Sequence, residues 1–244
     1  MRALRILVIV AVILGGLFVV ADRVAVGFAE DEAAEQLKTS EGLATTPEVS
    51  IKGFPFLTQV ASGELDDVEI GIENFEASTG NADESIRIAD LRANMRGVAF
   101  SSDYSSATAA SATGTATIAY DELLKAAKSE PTDAGLGFTA RVVGLSDGGK
   151  GKIKVEVEID PPALAPQTVS VLSTVSVKGD TVEVNADSLP TVGGLDLAEN
   201  AVRSITDFQQ AIDGLPGGIK LDKVEAAPDG VDITVKGSNV KLAG

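Results

Sequence analysis

The chain has 244 residues and a formal net charge of −16, with 36 acidic against 20 basic residues. That balance excludes nucleic-acid binding through a basic surface and generic attraction to an anionic membrane. It has no Cys and no His. There is thus no disulfide frame, no Ser-His-Asp or Cys-His catalysis and no imidazole for a metal. Aromatics are 4% of residues; the apolar content is chiefly Val, Ile, Leu and Ala, which suits β-sheet with small side chains.

Ile6 to Ala21 is an apolar run without a charge, preceded by Arg2 and Arg5. A positive start followed by an apolar stretch is the signature of an export signal. The run is shorter than the roughly 20 residues of a comfortable membrane span, so residues 1–21 read as a signal peptide or a marginal anchor. Val19-Val20-Ala21 is compatible with cleavage after Ala21. The positive end stays in the cytoplasm, which places residues 22–244 outside as one domain. No Cys follows the run to carry a lipid.

Residues 22–38 read as a helix, with Ala25, Ala29, Ala33 and Ala34 at helical spacing and able to approach another element closely. Near residue 47 the period changes to two. Glu48 to Lys52 alternates, and Gly53-Phe54-Pro55-Phe56-Leu57 interrupts the pattern because proline cannot donate to a ladder. Leu65 to Phe75 is a half-buried strand, with Val68, Ile70 and Ile72 on one face. Ser85 to Val98 follows, with Leu91, Ala93 and Met95 inward, Arg92, Asn94 and Arg96 outward, and a change of phase at Ala89-Asp90 that predicts a bulge.

Thr113, Thr115 and Thr117 alternate with Ala112, Gly114, Ala116 and Ile118, a strand with small inward residues. Tyr120 to Ala127 is a short helix. Hairpins are expected about residues 146–151, about Gly179-Asp180 and about Pro228-Asp229-Gly230. Pro161, Pro162 and Pro166 mark the best candidate seam. Leu197, Ala201, Ile205, Phe208, Ile212 and Leu215 have the spacing of an amphipathic helix. The order of elements reads as α+β with antiparallel strands.

The chemical motifs are decoys. Gly144-Leu145-Ser146-Asp147-Gly148 matches a nucleophile elbow, but it joins strand to strand and no histidine exists to serve it. The same loop approaches a phosphate loop, but Gly151 stands where Ser or Thr is needed and no helix follows. Asp66 and Asp67 point to opposite faces of a strand and cannot converge for glycosidic chemistry. No catalytic residue, metal site or cofactor is expected. Helices over a sheet with small inward residues leave either a packed core or an apolar groove able to take acyl chains.

Gly53-Phe54-Pro55-Phe56-Leu57-Thr58-Gln59, followed by Ala61-Ser62-Gly63-Glu64-Leu65-Asp66-Asp67-Val68, resembles the hallmark of the LmeA-type envelope proteins of actinobacteria. The apolar start, the Ala-rich helix and Leu215-Pro216-Gly217-Gly218-Ile219 near the end are similar too. The resemblance implies a phospholipid-binding protein of the cell envelope, linked to elongation of the mannan chain of lipomannan. It also implies a tubular lipid-binding-like fold, a long helix wrapped by curved antiparallel sheet, with no firm catalytic residues.

The expectation is therefore a non-enzymatic phospholipid-binding protein at the outer face of the plasma membrane, with an envelope glycosyltransferase as a further partner. Candidate groove residues are Phe54, Phe56, Leu57, Val68, Ile70, Ile72, Leu91 and Met95 from the sheet side. Phe28, Phe208 and Ile212 join them from the helices. Arg92 and Arg96 share a face and either touch a phosphate or are solvated. Two other classes stay open: an envelope scaffold without lipid, and a hydrolase using carboxylates alone.

Overall fold

The computed structural model describes residues 2–40, 42–78, 85–103, 106–126, 131–135, 137–162, 165–179, 181–187, 191–192, 195–196, 207–211 and 218–243. In chain order the elements are α1 (Arg2–Ser40), β1 (Glu48–Lys52), α2 (Phe56–Ser62), β2 (Glu64–Ser78), β3 (Ser85–Phe100), β4 (Ala107–Ala119) and α3 (Tyr120–Ala126). There follow β5 (Thr132–Gly135), β6 (Phe138–Gly149), β7 (Lys152–Asp160), β8 (Gln167–Lys178), β9 (Thr181–Ala186), β10 (Thr191–Val192), β11 (Leu195–Asp196), β12 (Phe208–Ala211), β13 (Ile219–Ala227) and β14 (Gly230–Ala243).

The apolar run and the Ala-rich segment form one unbroken helix of 39 residues. The large apolar side chains between Leu4 and Val20 are exposed along its first half. At Asp22 the helix acquires a buried side. Asp22, Val26 and Ala34 are buried, and Ala25 and Ala29 pack on the same core. The small Cβ of alanine at helical spacing lets α1 lie close to the sheet beneath it.

Among the described residues, two six-stranded antiparallel sheets and a two-stranded pair, β10-β11, account for the strands. The first runs β1-β2-β3-β4-β14-β13 and the second β12-β9-β8-β7-β6-β5. The long helix with curved antiparallel sheet is the α+β arrangement expected. The segment β5–β12 is inserted between β4 and β13, so the first sheet is closed by the chain's last two strands. The break at Pro161–Pro166 is not a seam: β7 and β8 on either side of it pair directly, Ile159 opposite Gln167.

The bulge expected near Ala89-Asp90 is present, as a register shift between Ile88 and Asp90 where β3 meets β4. Hairpins join β6 to β7, β8 to β9 and β13 to β14. The first is tighter than expected, with Gly149 paired to Lys152 across Lys150-Gly151. The amphipathic helix expected over 197–215 is corrected where the chain is described: Phe208 to Ala211 is a strand, with Phe208 opposite Val184 of β9. Its apolar residues satisfy a ladder at a sheet edge, where pairing overrides helical spacing. Leu197, Ala201, Ile205, Ile212 and Leu215 lie outside the described residues.

Apolar side chains collect in two cores. One gathers Val26 of α1 and Phe56 of α2 over Leu65, Val68, Met95, Val98, Ala109, Ala112 and Val240 of the first sheet. The other joins the sheets: Ala140, Val142, Ile153, Val155, Val157 and Ile159 meet Leu221, Val224 and Val231, with Tyr120 of α3 alongside. β7 shows the cause plainly, since every second residue from Ile153 to Ile159 is buried. Tyr120 places its ring in this core and donates its hydroxyl to the Ala227 carbonyl at 2.8 Å.

The Pro228-Asp229 turn depends on a glycine. A Cβ at Gly230 would strike the Ile118 carbonyl oxygen and lie 3.0 Å from Ala119 Cα. These are backbone atoms that cannot rotate away. Gly230→Ala is expected to destabilise the fold by about 2 kcal/mol or more, read as a lower urea midpoint at unchanged slope.

Candidate functional site

The segment Gly53 to Gln59 is built to hold two layers together. Gly53 has φ 91°, a left-handed conformation open to glycine. A Cβ there would be 2.6 Å from Gln59 Nε2 and 2.8 Å from Asp66 Oδ2. Pro55 leads into α2 with no side-chain cap of its own. Phe56 turns into the core and Gln59 is buried beneath it. The Gln59 amide donates to the Lys52 carbonyl at 3.4 Å and accepts the Asp66 N–H at 2.8 Å, joining the end of β1 to the start of β2. Gly63, φ 77°, ends α2 by donating its N–H to the Gln59 and Val60 carbonyls.

The missing cap of α2 comes from α1. Asp22 has no solvent exposure, and its Oδ1 accepts the Leu57 N–H at 2.8 Å. Its Oδ2 accepts from Arg23 at 2.6 Å. Burial raises the carboxyl pKa, but the Arg23 hydrogen bond and the backbone N–H groups of Leu57 and Phe56 outweigh it. The pKa ends below the usual carboxylate value of 3.8. Two turns on, Glu30 Oε1 accepts the Ile51 N–H at 2.7 Å, which covers part of the free edge of β1.

Between the two cores the apolar face of the first sheet is only half covered. Ile70, Ala93 and Gly114 lie in register across β2, β3 and β4, and Val235 of β14 continues the row. The next row is Ile72, Leu91, Ala116 and Ile233. All eight positions are half-buried; Ile70 packs at the margin of the core under α1 and α2, and Ile233 and Val235 at the margin of the core between the sheets. The row on one side, Val68, Met95 and Ala112, is buried in the core that α1 and α2 cover. On the other side Val231 is closed by the second sheet. The result is an apolar strip two rows wide and four strands long, on the order of 14 Å across the strands. The residues at its centre, Ala93, Gly114 and Ala116, are small.

The expected site residues therefore divide. Ile70, Ile72 and Leu91 line the strip. Val68, Met95 and Phe56 are buried beside it and form its wall. Phe54 and Leu57 are 57% and 37% exposed at the α1–α2 junction, and Phe28 is 72% exposed on the opposite side of α1. None of these three faces the strip. Phe208 belongs to the edge of the second sheet, and Ile212 is outside the described residues. The strip members Ile233 and Val235 were missed. Their alternation with Asp232, Thr234 and Lys236 was visible, but only strand order puts them beside Ala116 and Gly114.

The other face of β1–β4 holds a depression of ≈ 320 Å³ lined by Glu48, Ser50, Lys52, Glu69, Arg92, Asn94, Thr113 and Thr115, together with Ile70, Gly71 and Ala93 between them. Its cations are already paired. Arg92 bonds Asp90 at 3.0 Å, a hydrogen bond that raises its pKa. Lys52 meets Glu69 at 3.2 Å and Arg96 meets Asp67 at 3.3 Å. Arg92 and Arg96 are thus solvated, acid-paired residues on the face away from the strip.

The junction yields a test. A carboxylate with a lowered folded pKa stabilises fully above its unfolded pKa and loses that stabilisation as pH falls through the folded value. Asp22→Ala is expected to lower the Tm at pH 7, with Asp22→Asn intermediate because the amide oxygen still accepts. The difference in Tm between the wild-type chain and Asp22→Asn should shrink below about pH 4. Thermal scans from pH 7 to pH 3 check both.

Comparisons with known proteins bear on the site. A family model described as LmeA-like phospholipid-binding matches residues 20–236. No curated protein and no solved structure matches the chain. The match starts at the last turn before Asp22, takes in the Gly53–Gln59 junction and all four strands of the strip, and ends inside β14. The chain belongs to the LmeA-like phospholipid-binding family.

Proposed function

We propose that the half-covered strip of the first sheet receives the acyl chains of a phospholipid. The observation that carries this reading is the strip itself, eight half-buried apolar or glycine positions in two rows between two closed cores. Burial of acyl chain contributes about 0.8 kcal/mol per CH₂. Ala93 and Ala116 keep the centre of the strip shallow in side chain, while the Val235 side chain closes over Gly114, and no charged headgroup contact is required.

The chain works outside the cytoplasm, held at the outer face of the plasma membrane by α1. Three features support this: the basic start, the exposed apolar first half of α1, and the continuity of the helix through Ala21 into the buried Asp22. In that position it supports assembly of a lipomannan-type envelope glycolipid beside a glycosyltransferase, without catalysing a reaction of its own. A second reading, an envelope scaffold without lipid, is favoured by the depression on the opposite face. Its carboxylates, amide and hydroxyls suit a glycan.

Full-length chain extracted from membranes is expected to retain phospholipid after detergent exchange, identified by native mass spectrometry. Ala93→Leu combined with Ala116→Leu fills the strip. The two substitutions add three carbons each; displacing as few as two lipid methylenes costs about 1.6 kcal/mol and should lower retained phospholipid about tenfold or more with the fold intact. A wild-type chain free of lipid supports the scaffold. The intact polypeptide should weigh 25.0 kDa; a mass lacking residues 1–21 removes the anchor.

A further inference from the structure

Four apolar side chains remain exposed just past the end of the apolar run. Val24 and Phe28 are 53% and 72% exposed on the outward side of α1. Phe54 and Leu57 are exposed at the start of α2. The Asp22–Leu57 hydrogen bond at 2.8 Å fixes α2 against the turn of α1 that leaves the run. Arg23 places its guanidinium 5.3 Å above the Phe54 ring.

A helix rises about 1.5 Å per residue, so the charge-free run from Ile6 to Ala21 spans about 24 Å of a hydrocarbon core about 30 Å thick, with Arg5 and Arg2 at its far boundary. With that segment in the bilayer, Asp22 and Arg23 enter the headgroup layer. Phe54 and Leu57 are carried to the same depth by the Asp22 bond. Phe28 lies about 10 Å beyond Ala21, past a headgroup layer of about 5–8 Å, and stays outside this contact. Asp31, Glu32 and Glu35 follow on exposed positions and mark the return to water. An aromatic ring beneath an arginine, half apolar and half wet, suits the interface. The net charge of −16 supplies no general attraction to lipid headgroups, so any seating of the domain falls to apolar contact.

We propose that Phe54 and Leu57, with Arg23 over the Phe54 ring, form a membrane-seating foot, joined by Val24 on the outward side of α1. It inserts into the headgroup layer of the leaflet from which α1 emerges and holds the domain against the bilayer. The occupant of this apolar patch is the lipid surface. The proposal rests on the reading of α1 as an anchor and adds to it a second, separate membrane contact.

The chain contains no Trp, so one introduced indole reports alone. Full-length Leu57→Trp, reconstituted in phosphatidylcholine vesicles, should show blue-shifted emission quenched by brominated acyl chains. Leu172→Trp, 40% exposed on the second sheet, should emit as in water and be quenched by iodide only. Leu14→Trp reports on α1. Quenching by bromolipid at Leu14→Trp but not at Leu57→Trp overturns the foot and leaves the anchor. Bromolipid quenching at neither position overturns the anchor and the foot with it. Phe54→Ser in the Leu57→Trp chain should move the emission toward that of exposed indole; unchanged emission also overturns the foot.

Discussion

A buried carboxylate at the point where one helix changes environment governs how this molecule is assembled. Asp22 is the first residue of α1 to be wholly shielded, and everything before it on that helix is exposed. Its oxygens satisfy N–H groups at the start of α2, a short helix that begins at a proline and lacks a local cap. An uncapped α2 could not hold Phe56 and Gln59 inward. Without Gln59, the end of β1 and the start of β2 lose their shared side-chain clamp. The position of the long helix relative to the sheet thus follows from a few charge-assisted and buried hydrogen bonds, with Glu30 repeating the device one strand edge further on.

The second constraint is steric. Small residues face inward along β4, so one region of the first sheet has little side-chain volume of its own. Where α1, α2 or the second sheet covers that face, it packs into a core. Between them it is only half-buried, with Ile70, Ile233 and Val235 packed at the margins of those cores. The strip is the remainder left when two separate layers approach a long sheet from its two ends, and its centre is low because Ala93 and Ala116 are small, with Val235 lying over Gly114. Lipid binding by such a surface draws on apolar burial and not on charge. That fits a chain with paired cations on its polar face and a large negative balance.

Much of the fold was legible because strands announce themselves by a period of two. The bulge in β3 could be read from a single slip in the inward residues, and three hairpins from Gly, Asp and Pro at turns. α2 was not legible: Pro55 looked like a strand breaker, and its helix relies on a cap supplied from residue 22. The stretch around Phe208 was misread because apolar residues spaced by three and four also occur in strands interrupted by turns. The hallmark Gly53–Gln59 was expected to line a groove. It is instead divided, with Phe56 and Gln59 holding the layers together and Phe54 and Leu57 pointing outward.

Local chemistry alone settled the export-like start, the antiparallel α+β character, the absence of histidine-based catalysis and the family resemblance, because these depend on residue type and near-neighbour spacing. Which apolar residues remained uncovered was decided by tertiary structure. Ile70 and Met95 look equivalent along their strands, yet one lines the strip and the other lies under α1. Coverage depends on which distant layer lies above each residue, and β14 pairs with β4 across the long intervening segment that forms the second sheet.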